Sequence, residues 1–334
     1  MKVPEGYQSA LDVRETEVAI KKVKDFFERA LATNLNLTRV SAPLFVAPET
    51  GLNDDLNGVE RPVSFGIREQ NDRVVQIVHS LAKWKRHALK RYGFSVGEGL
   101  YTDMNAIRRD ETPDNLHSIY VDQWDWEKII RREDRTLEFL KHTAQDVVDA
   151  ICDTSERLNR EFPSIHVHLS RDMVAITSQE LEDMYPDLHT GAERENAFLR
   201  EHRTALIMQI GGNLRSGKPH DGRAPDYDDW ALNGDILFWN ERLQRAFEVS
   251  SMGIRVDEES LARQLKLANC EERRELPFHR MLLAGELPLT VGGGIGQSRL
   301  CMLMIGCAHI GEVQCSLWDE ETIEKCNQAG IPLL

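Results

Sequence analysis

The stretch Thr290-Val291-Gly292-Gly293-Gly294-Ile295-Gly296-Gln297-Ser298-Arg299-Leu300 decides the fold of this chain of 334 residues. Its four glycines in five residues let the backbone approach a sheet or a ligand where any Cβ would clash. The apolar run from Leu300 to Ile305 predicts a buried helix directly after them. Arg299 would then lie in the first helical turn, where the helix dipole disfavours arginine unless an anion such as a polyphosphate is bound nearby.

Two common glycine motifs do not fit this spacing. A dinucleotide-binding G-x-G-x-x-G would need glycine at Gln297 or Arg299, and a P-loop would need Gly-Lys-Ser/Thr where the chain has Gly296-Gln297-Ser298. The 35 residues after Arg299 are too few to complete a nucleotide-binding half-domain. A structural glycine turn with a surface arginine remains an alternative for this stretch alone.

The composition is typical of a globular protein and disfavours a large nucleic-acid surface. Hydrophobic residues make up 41% and charged residues 29%, and the formal net charge is −14, which opposes binding to a phosphate backbone. No apolar stretch approaches the roughly 20 residues of a membrane span, and the N-terminus has mixed charges rather than a signal-peptide core. We therefore expect a cytoplasmic protein with no membrane or nucleic-acid partner.

The first quarter of the chain is predicted to hold a long helix, two strands and a second helix. Residues 12–33 form an amphipathic helix that begins with Asp12 and Glu15 in capping-box spacing. Strands are expected at 37–41 and, as a buried β run, at 74–78, with a polar turn at 54–58 and a helix from about residue 80. The apolar stripe of the first helix consists of Ile20, Val23, Phe27 and Leu31.

The second helix carries basic residues in its first turns. Lys83, Lys85 and Arg86 lie where the helix dipole disfavours cations, so a bound anion would explain them. An exposed basic face is the alternative and the commoner arrangement. Sequence alone leaves both open.

The strand predicted at Ser118–Glu127 carries a polar face suited to binding. Gln123, Asp125 and Glu127 alternate with two tryptophans, the pattern of a half-buried strand in an antiparallel sheet. A solvated face would not require an amide and two carboxylates in a row. The preceding strand is expected at Leu100–Arg108, with a charged hairpin loop between the two.

The remaining helices are predicted from apolar spacing at 134–160, twice within 177–203, and at about 258–268 and 277–285. His166 and His168 alternate with valine on a predicted strand, but no third ligand accompanies them, which disfavours a metal site there. Free buried thiols are favoured over zinc ligands or disulfides for the six cysteines, because they form no C-x-x-C pair. These are Cys152, Cys270, Cys301, Cys307, Cys315 and Cys326.

Asp235 and Glu248 are the candidate metal ligands. The β runs on either side of Glu241-Arg242 predict a hairpin that places Asp235 opposite Glu248. Opposed like charges destabilise a sheet unless a cation joins them, and carboxylate oxygens suit Mg²⁺ that bridges the phosphates of a nucleotide. A register shift of one residue would separate the two acids.

Taken together, five stretches resemble the ammonia-dependent aspartate–ammonia ligases, the A-type asparagine synthetases. The resemblance runs from about residue 12 to the C-terminus and is weakest near 60–73 and 186–222. The glycine stretch also resembles the third signature motif of class II aminoacyl-tRNA synthetases, and the N-terminal helix and strand resemble the first. The five stretches are His79–Arg86, Gly97–Tyr101, Tyr120–Glu127, Ala224–Trp230 and Gly292–Arg299.

This resemblance implies an α+β fold, with a class II aminoacyl-tRNA synthetase-like antiparallel β-sheet flanked by α-helices. It further implies a single catalytic domain over residues 1–334 and a homodimer whose interface includes the N-terminal helix and strand. The reaction implied is the synthesis of asparagine from aspartate, ATP and ammonia through a β-aspartyl-adenylate, with release of AMP and diphosphate.

The resemblance also assigns roles at the nucleotide end of the site. Arg108 is expected at the α-phosphate, and Arg299 at the ATP phosphates or the adenine, beside Gly294. Asp235 and Glu248 are the expected magnesium ligands. Planar guanidinium groups suit the charge that develops on a phosphoryl group under attack.

The aspartate end should hold the ammonium and α-carboxylate groups and leave the β-carboxylate free. Asp54, Gln123 and Asp125 are expected to bind the ammonium, and Ser80 and Lys85 a carboxylate. Asp228, Ser251 and Arg255 match site positions of the family. The strand parity of the last two differs from that of Glu248, so a β-bulge at Gly253 is expected.

Two other functions remain in competition. An aspartyl- or asparaginyl-tRNA synthetase core would share the fold, but the sequence offers no candidate anticodon-binding domain and its charge is acidic. A non-catalytic paralogue that binds aspartyl-adenylate or AMP would not need the arginines and acids that this chain retains. Identifying the product formed with ammonium, glutamine or tRNA would separate the three.

Overall fold

The computed structural model describes residues 2–54, 56 and 60–334. Their strands are β1 (Leu37–Arg39), β2 (Phe45–Val46), β3 (Ser64–Ile67), β4 (Arg73–Ile77), β5 (Gly99–Ile107), β6 (Tyr120–Ile129), β7 (Val174–Thr177), β8 (Thr204–Met208), β9 (Asp228–Asn240), β10 (Arg245–Arg255) and β11 (Thr290–Gly296). The helices are α1 (Val13–Leu35), α2 (Ala82–Tyr92), α3 (Leu137–Glu161), α4 (Ser178–Met184), α5 (Gly191–His202), α6 (Glu258–Leu267), α7 (Pro277–Leu283), α8 (Gln297–Ile305) and α9 (Glu320–Gln328).

A large sheet organises these elements. Among the described residues it has eight strands in the order β1-β5-β6-β11-β10-β9-β8-β7, and a smaller sheet has the order β2-β4-β3. The large sheet is antiparallel from β5 to β8, while β1 and β7 add parallel strands at its two edges. The predicted α+β fold, an antiparallel sheet flanked by helices, is therefore confirmed, with parallel strands at the edges as the added detail.

One face of the large sheet is covered by α1, α3 and α8. The capping box predicted at the start of α1 is present, because Asp12 accepts a hydrogen bond from the Glu15 amide and Glu15 accepts one from the Asp12 amide. The predicted apolar stripe of α1 is buried. Phe27 in this stripe packs on Trp124 of β6, with 4.8 Å between ring centroids.

The opposite face of β6 is polar, as its alternation predicted. Asp125 and Glu127 of β6 are buried beside Gly294 and Gly292 of β11, their register partners. A Cβ at Gly292 would collide with the Glu127 carboxylate, and one at Gly294 would lie 2.7 Å from Gln123 Oε1. The predicted close approach to the glycines is thus confirmed, and polar side chains of β6 are what approach them.

Three predictions about local structure need correction or restriction. The β run at 74–78 is only partly buried, since it lies in β4 of the small sheet and just after it, and Val75 and Val78 are buried but Val74 is 53% exposed. His166 and His168 lie outside the strands, in a segment to which no regular secondary structure is assigned. Of the turn predicted at 54–58, residues 55, 57 and 58 lie outside the described residues.

The predicted helices after residue 134 are confirmed as α3 to α7, with boundaries shifted by a few residues. All six cysteines are free, and all but Cys315 are buried, as expected for thiols that pack as small apolar groups. Within the part of the chain that is described, no helix combines the length and the apolar character needed to cross a bilayer.

Candidate active site

A cavity of about 340 Å³ opens on the polar face of the large sheet. It is lined by the start of α2, the segment after β5, strands β6, β10 and β11, the segment 221–228 and the first turn of α8. Most of the site residues predicted from the sequence come together here. They are Ser80, Lys85, Arg108, Gln123, Asp125, Asp228, Glu248, Ser251, Arg255, Gly294 and Arg299.

The two other predicted residues are not among the lining side chains but lie close to it. Asp54 is buried, accepts a hydrogen bond from the Leu56 amide at 3.0 Å, and its carbonyl oxygen lies 3.0 Å from His79 Nδ1. His79 lines the cavity, so this contact places Asp54 next to it. Asp235 is buried and paired with a lining residue, Arg223.

A single cross-strand row connects the two ends of the cavity. Gly294 of β11 pairs with Asp125 on one side and with Ser251 on the other, and Ser251 pairs with Asp235 of β9. Directly opposed residues of an antiparallel sheet share a face, so these four positions face the cavity side. Three strand spacings of about 4.8 Å put the two acids roughly 14 Å apart along the row.

Lys85 is buried at one end of this row and connects α2 to the sheet. Its Nζ donates to the carbonyl oxygens of Trp126 at 3.0 Å and Gly293 at 3.1 Å, and lies 3.2 Å from Asp125 Oδ2. Burial lowers the pKa of Lys85 even though Asp125 and Glu127 act in the opposite direction. Asp125 Oδ1 is buried and has no hydrogen-bond partner among the described residues, so it is available to accept from a ligand donor.

Arg255 is fixed by two carboxylates next to Lys85. Its Nε lies 3.0 and 3.1 Å from the two Glu127 oxygens, its Nη2 donates to Glu127 Oε2 at 2.8 Å, and its Nη1 donates to Asp228. Burial raises the pKa of Glu127, but the charges of Arg255 and Lys85 outweigh it and hold the pKa below its ordinary value. Burial raises the pKa of Asp228, against the opposing charge of Arg255.

Two further arginines that line the cavity have weaker partners. Arg299 is the third residue of α8, as predicted, and its Nη1 lies 3.3 Å from the Glu248 carbonyl oxygen and 3.8 Å from Glu248 Oε2. Arg108 directly follows β5, and its amide donates to the Ile119 carbonyl at 2.8 Å. Arg108 Nε is buried without a hydrogen-bond partner in the described structure.

The predicted pairing of Asp235 with Glu248 is wrong. The predicted hairpin is present, but Glu248 pairs with Leu237 and Asp235 pairs with Ser251. Most of the displacement comes from the turn, because Arg245 pairs with Asn240 and the hairpin therefore turns at residues 241–244 rather than at Glu241-Arg242; the register shift between Glu248 and Ser250 adds one more residue. This shift lies before the bulge expected at Gly253, and a second one follows between Gly253 and Arg255.

Three residues of the site were not among the predicted ones. Glu127 had a detectable signal, because it continues the polar face formed by Gln123 and Asp125. Asp122 holds the first turn of α8 by accepting hydrogen bonds from the Ser298 amide at 3.0 Å and its hydroxyl at 2.9 Å. Arg223 gave no signal, since its segment is polar and irregular in sequence.

A model of the aspartate–ammonia ligase family matches residues 14–330. The aspartate–ammonia ligase of Clostridium tetani is 61% identical over 332 residues, which cover 99% of this chain and 97% of the relative. The aspartate–ammonia ligase of Lactobacillus johnsonii is 58% identical over 333 residues, which cover 99% of each chain.

Solved structures show the same fold in more distant proteins. The asparaginyl-tRNA synthetase of Pyrococcus horikoshii complexed with asparaginyl-adenylate matches with a TM-score of 0.66 and 15% identity, over 91% of this chain and 70% of that one. An aspartyl-tRNA synthetase from Entamoeba histolytica has a TM-score of 0.58 and 13% identity, over 92% and 59% of the two chains. The fold of class II synthetases and the family match over nearly the whole length lead to one conclusion: the chain belongs to the aspartate–ammonia ligase family, the ligases that make asparagine from aspartate and ammonia.

Proposed function

We propose that this enzyme activates the β-carboxylate of aspartate with ATP to form a β-aspartyl-adenylate and diphosphate, and that ammonia then converts the adenylate to asparagine and AMP. The observation that carries this proposal is the cross-strand row from Asp125 to Asp235. The Asp125 end of this row has buried charges suited to an amino acid, and arginines suited to phosphates also line the cavity. The fold neighbour that holds asparaginyl-adenylate binds a ligand of the same chemical kind.

The amino-acid end is proposed to bind aspartate by its ammonium and α-carboxylate groups. Asp125 Oδ1, a buried acceptor without a partner in the described structure, would accept from the substrate ammonium, together with Gln123 and Asp54. Ser80 and Lys85 would bind a carboxylate, although Lys85 also donates to two strand carbonyls. We also propose substrate contacts for the remaining predicted residues at this end, which are Asp228, Ser251 and Arg255.

The phosphate end is proposed to stabilise the charge that develops at the α-phosphate. An oxygen of the aspartate β-carboxylate attacks the phosphorus, and the bond to diphosphate breaks. Arg108 and Arg299, beside Gly294, offer planar donors to the phosphoryl oxygens and to the leaving group. In the second step ammonia attacks the acyl carbon, the bond to AMP breaks, and the added nitrogen loses a proton to leave the neutral amide.

Asp235 and Glu248 are proposed to hold Mg²⁺. Burial raises the pKa of Asp235 to about 7 against the opposing charge of Arg223, and the nearby Glu248 charge contributes, so a bound cation would stabilise the ionised carboxylate. Each acid is next to an arginine of the cavity, Arg223 or Arg299. Two carboxylates with additional phosphate oxygens are a common magnesium ligand set, and the ion would supply positive charge to the phosphates.

The decisive experiment identifies the product. The protein is incubated with ATP, Mg²⁺ and aspartate, and with ammonium, glutamine or tRNA as acceptor. Asparagine and AMP from ammonium, but not from glutamine, is the expected result. Attachment of an amino acid to tRNA would instead favour a synthetase, and binding of AMP without turnover would favour a sensor.

The magnesium ligands are tested in the same assay. Glu248→Gln and Asp235→Asn should fold but lose most activity, and added Mg²⁺ should restore only part of it because an amide is a poorer ligand than a carboxylate. Wild-type activity at ordinary Mg²⁺ would remove that residue from the ligand set.

We also propose one catalytic domain over residues 1–334, a homodimer and a cytoplasmic location. The large sheet collects strands from residue 37 to residue 296, which supports one folding unit. An exposed apolar patch on the small sheet, with Phe45 and Phe65 in edge-to-face contact at 5.1 Å, supports an interface beyond the N-terminal helix. Buried free thiols suit a reducing compartment. Sedimentation velocity would measure the oligomeric state.

A further inference from the structure

Arg223 lines the cavity, but neither the adenylation step nor the attack by ammonia assigns it a role. Its Nη2 donates a hydrogen bond to Asp235 Oδ1, and its side chain is only 11% exposed. Its Nε is buried and has no partner among the described residues. The carboxylate proposed for Mg²⁺ is therefore already paired with a positive charge of the protein.

We propose that Arg223 neutralises Asp235 in the nucleotide-free enzyme and moves onto the phosphates of ATP when Mg²⁺ takes its place. This inference rests on the proposed function, because it takes Asp235 as a magnesium ligand. It adds Arg223 to Arg108 and Arg299 as a phosphate-binding residue.

The backbone around Arg223 is anchored on both sides. Three residues earlier, His220 Nε2 lies 2.9 Å from Glu195 Oε1 of α5, and the His220 side chain is buried. One residue later, the Ala224 carbonyl accepts a hydrogen bond from Trp230 Nε1 at 3.2 Å. The side chain, with its many rotamers, is thus the part of this segment that can change partner while the backbone stays in place.

Electrostatics explains why the exchange would accompany Mg²⁺ binding. Asp235 is a buried carboxylate, and a buried carboxylate is stable only when it is paired with a cation. Arg223 supplies that cation. Mg²⁺ bound to the same carboxylate would repel the guanidinium, and the phosphates of ATP would then be the nearest anion with the planar, two-pronged geometry that arginine fits best.

The test measures Mg²⁺ binding by calorimetry and the melting temperature, both without nucleotide. Arg223→Gln should bind Mg²⁺ at least tenfold more tightly than wild type, and Mg²⁺ should raise its melting temperature, because Asp235 has lost its competing cation. Arg223→Lys keeps the charge and should behave like wild type. Arg215→Gln is the matched control, since Arg215 is 74% exposed and pairs with Asp183 outside the cavity.

A second measurement, ATP–diphosphate exchange with aspartate, tests the phosphate contact. The exchange rate should fall about 100-fold in Arg223→Gln and about tenfold in Arg223→Lys, because a point charge reproduces only part of the planar contact. Arg223→Lys keeps the test decisive if the glutamine variant does not fold. Wild-type exchange in Arg223→Lys would overturn the inference.

Equal nucleotide-free Mg²⁺ affinity in wild type and folded Arg223→Gln would also overturn it. The double variant Arg223→Gln/Asp235→Asn must lose the gained affinity; if it keeps that affinity, the ion is bound elsewhere and the inference fails. These outcomes are independent of the product assay. If the wild-type enzyme makes asparagine but Arg223→Gln binds Mg²⁺ no more tightly than wild type, only the role of Arg223 is rejected. If the wild-type enzyme makes no asparagine, the proposed function is rejected.

Discussion

At the residue scale, the arginines of the cavity differ in how firmly they are held. Arg255 is fixed by Glu127 and Asp228 in a fully buried set of charge-assisted hydrogen bonds. Arg299 has one carbonyl contact and a carboxylate at 3.8 Å. A firmly held guanidinium can position a substrate group, whereas a loosely held one can follow charge as it moves to the leaving group.

Replacing the loosely held arginines tests this difference. Arg108→Lys and Arg299→Lys should each lower adenylate formation by two to three orders of magnitude, roughly 3–4 kcal/mol, because lysine cannot make the planar two-pronged contact. Folding should be little changed. ATP–diphosphate exchange and urea unfolding measure the two effects, with Arg215→Lys as the surface control. Exchange at the wild-type rate in both variants would place these arginines outside the mechanism.

At the scale of the element, the glycines of β11 have unequal functions. A Cβ at Gly292 would lie 2.6 Å from Arg255 Nη2 and even closer to the Glu127 carboxylate, and both groups are buried. A Cβ at Gly294 would meet Gln123, which is only half-buried and free to rotate. Gly292 thus protects a buried ion pair, and Gly294 keeps space at the cavity.

Alanine substitutions should separate these functions. Gly292→Ala should lower the free energy of unfolding by about 3–5 kcal/mol, the usual cost of disrupting a buried ion pair. Gly294→Ala should remain folded but raise the KM for aspartate. Denaturant unfolding and steady-state kinetics measure these effects. Gly212→Ala is the control, since its Cβ would meet nothing within 4 Å; equal stability of all three variants would contradict this assignment.

The elements show which features could be predicted from sequence. The start of α1 and the two faces of β6 follow from local spacing, and both predictions are confirmed. The register of β9 and β10 could not be predicted, because neither the turn at residues 241–244 nor the shift after Glu248 is marked by a glycine or proline. Glu127 acquires its importance only when Arg255, 128 residues later, folds against it.

At the scale of the whole molecule, stability should fall in moderate acid because of His309. This side chain is fully buried against Trp318, and its Nδ1 accepts a hydrogen bond from the Gly311 amide at 3.0 Å. Burial lowers the pKa of His309 from 6.5 to about 4. The unfolded chain therefore binds a proton first, so the contribution of His309 is complete above pH 6.5 and is lost as the pH falls towards 4.

A shift of this size corresponds to roughly 3 kcal/mol of stability. His309→Asn keeps an acceptor at this capping position but cannot titrate there, so its unfolding free energy should fall less steeply between pH 6.5 and 4. Urea unfolding at several pH values, with wild type in parallel, measures the difference and separates it from carboxylate titration. Identical slopes for the two proteins would show that His309 does not control the acid response.

The position of β11 in the large sheet has a consequence for synthesis on the ribosome. This strand lies between β6 and β10, yet both neighbours are translated before it. Until Gly296 has emerged, a nascent chain carries two long strands with unpaired inner edges and a half-formed apolar face, the features that invite aggregation. Cells that make this protein in quantity would therefore need chaperones to shield those edges until the last strand inserts.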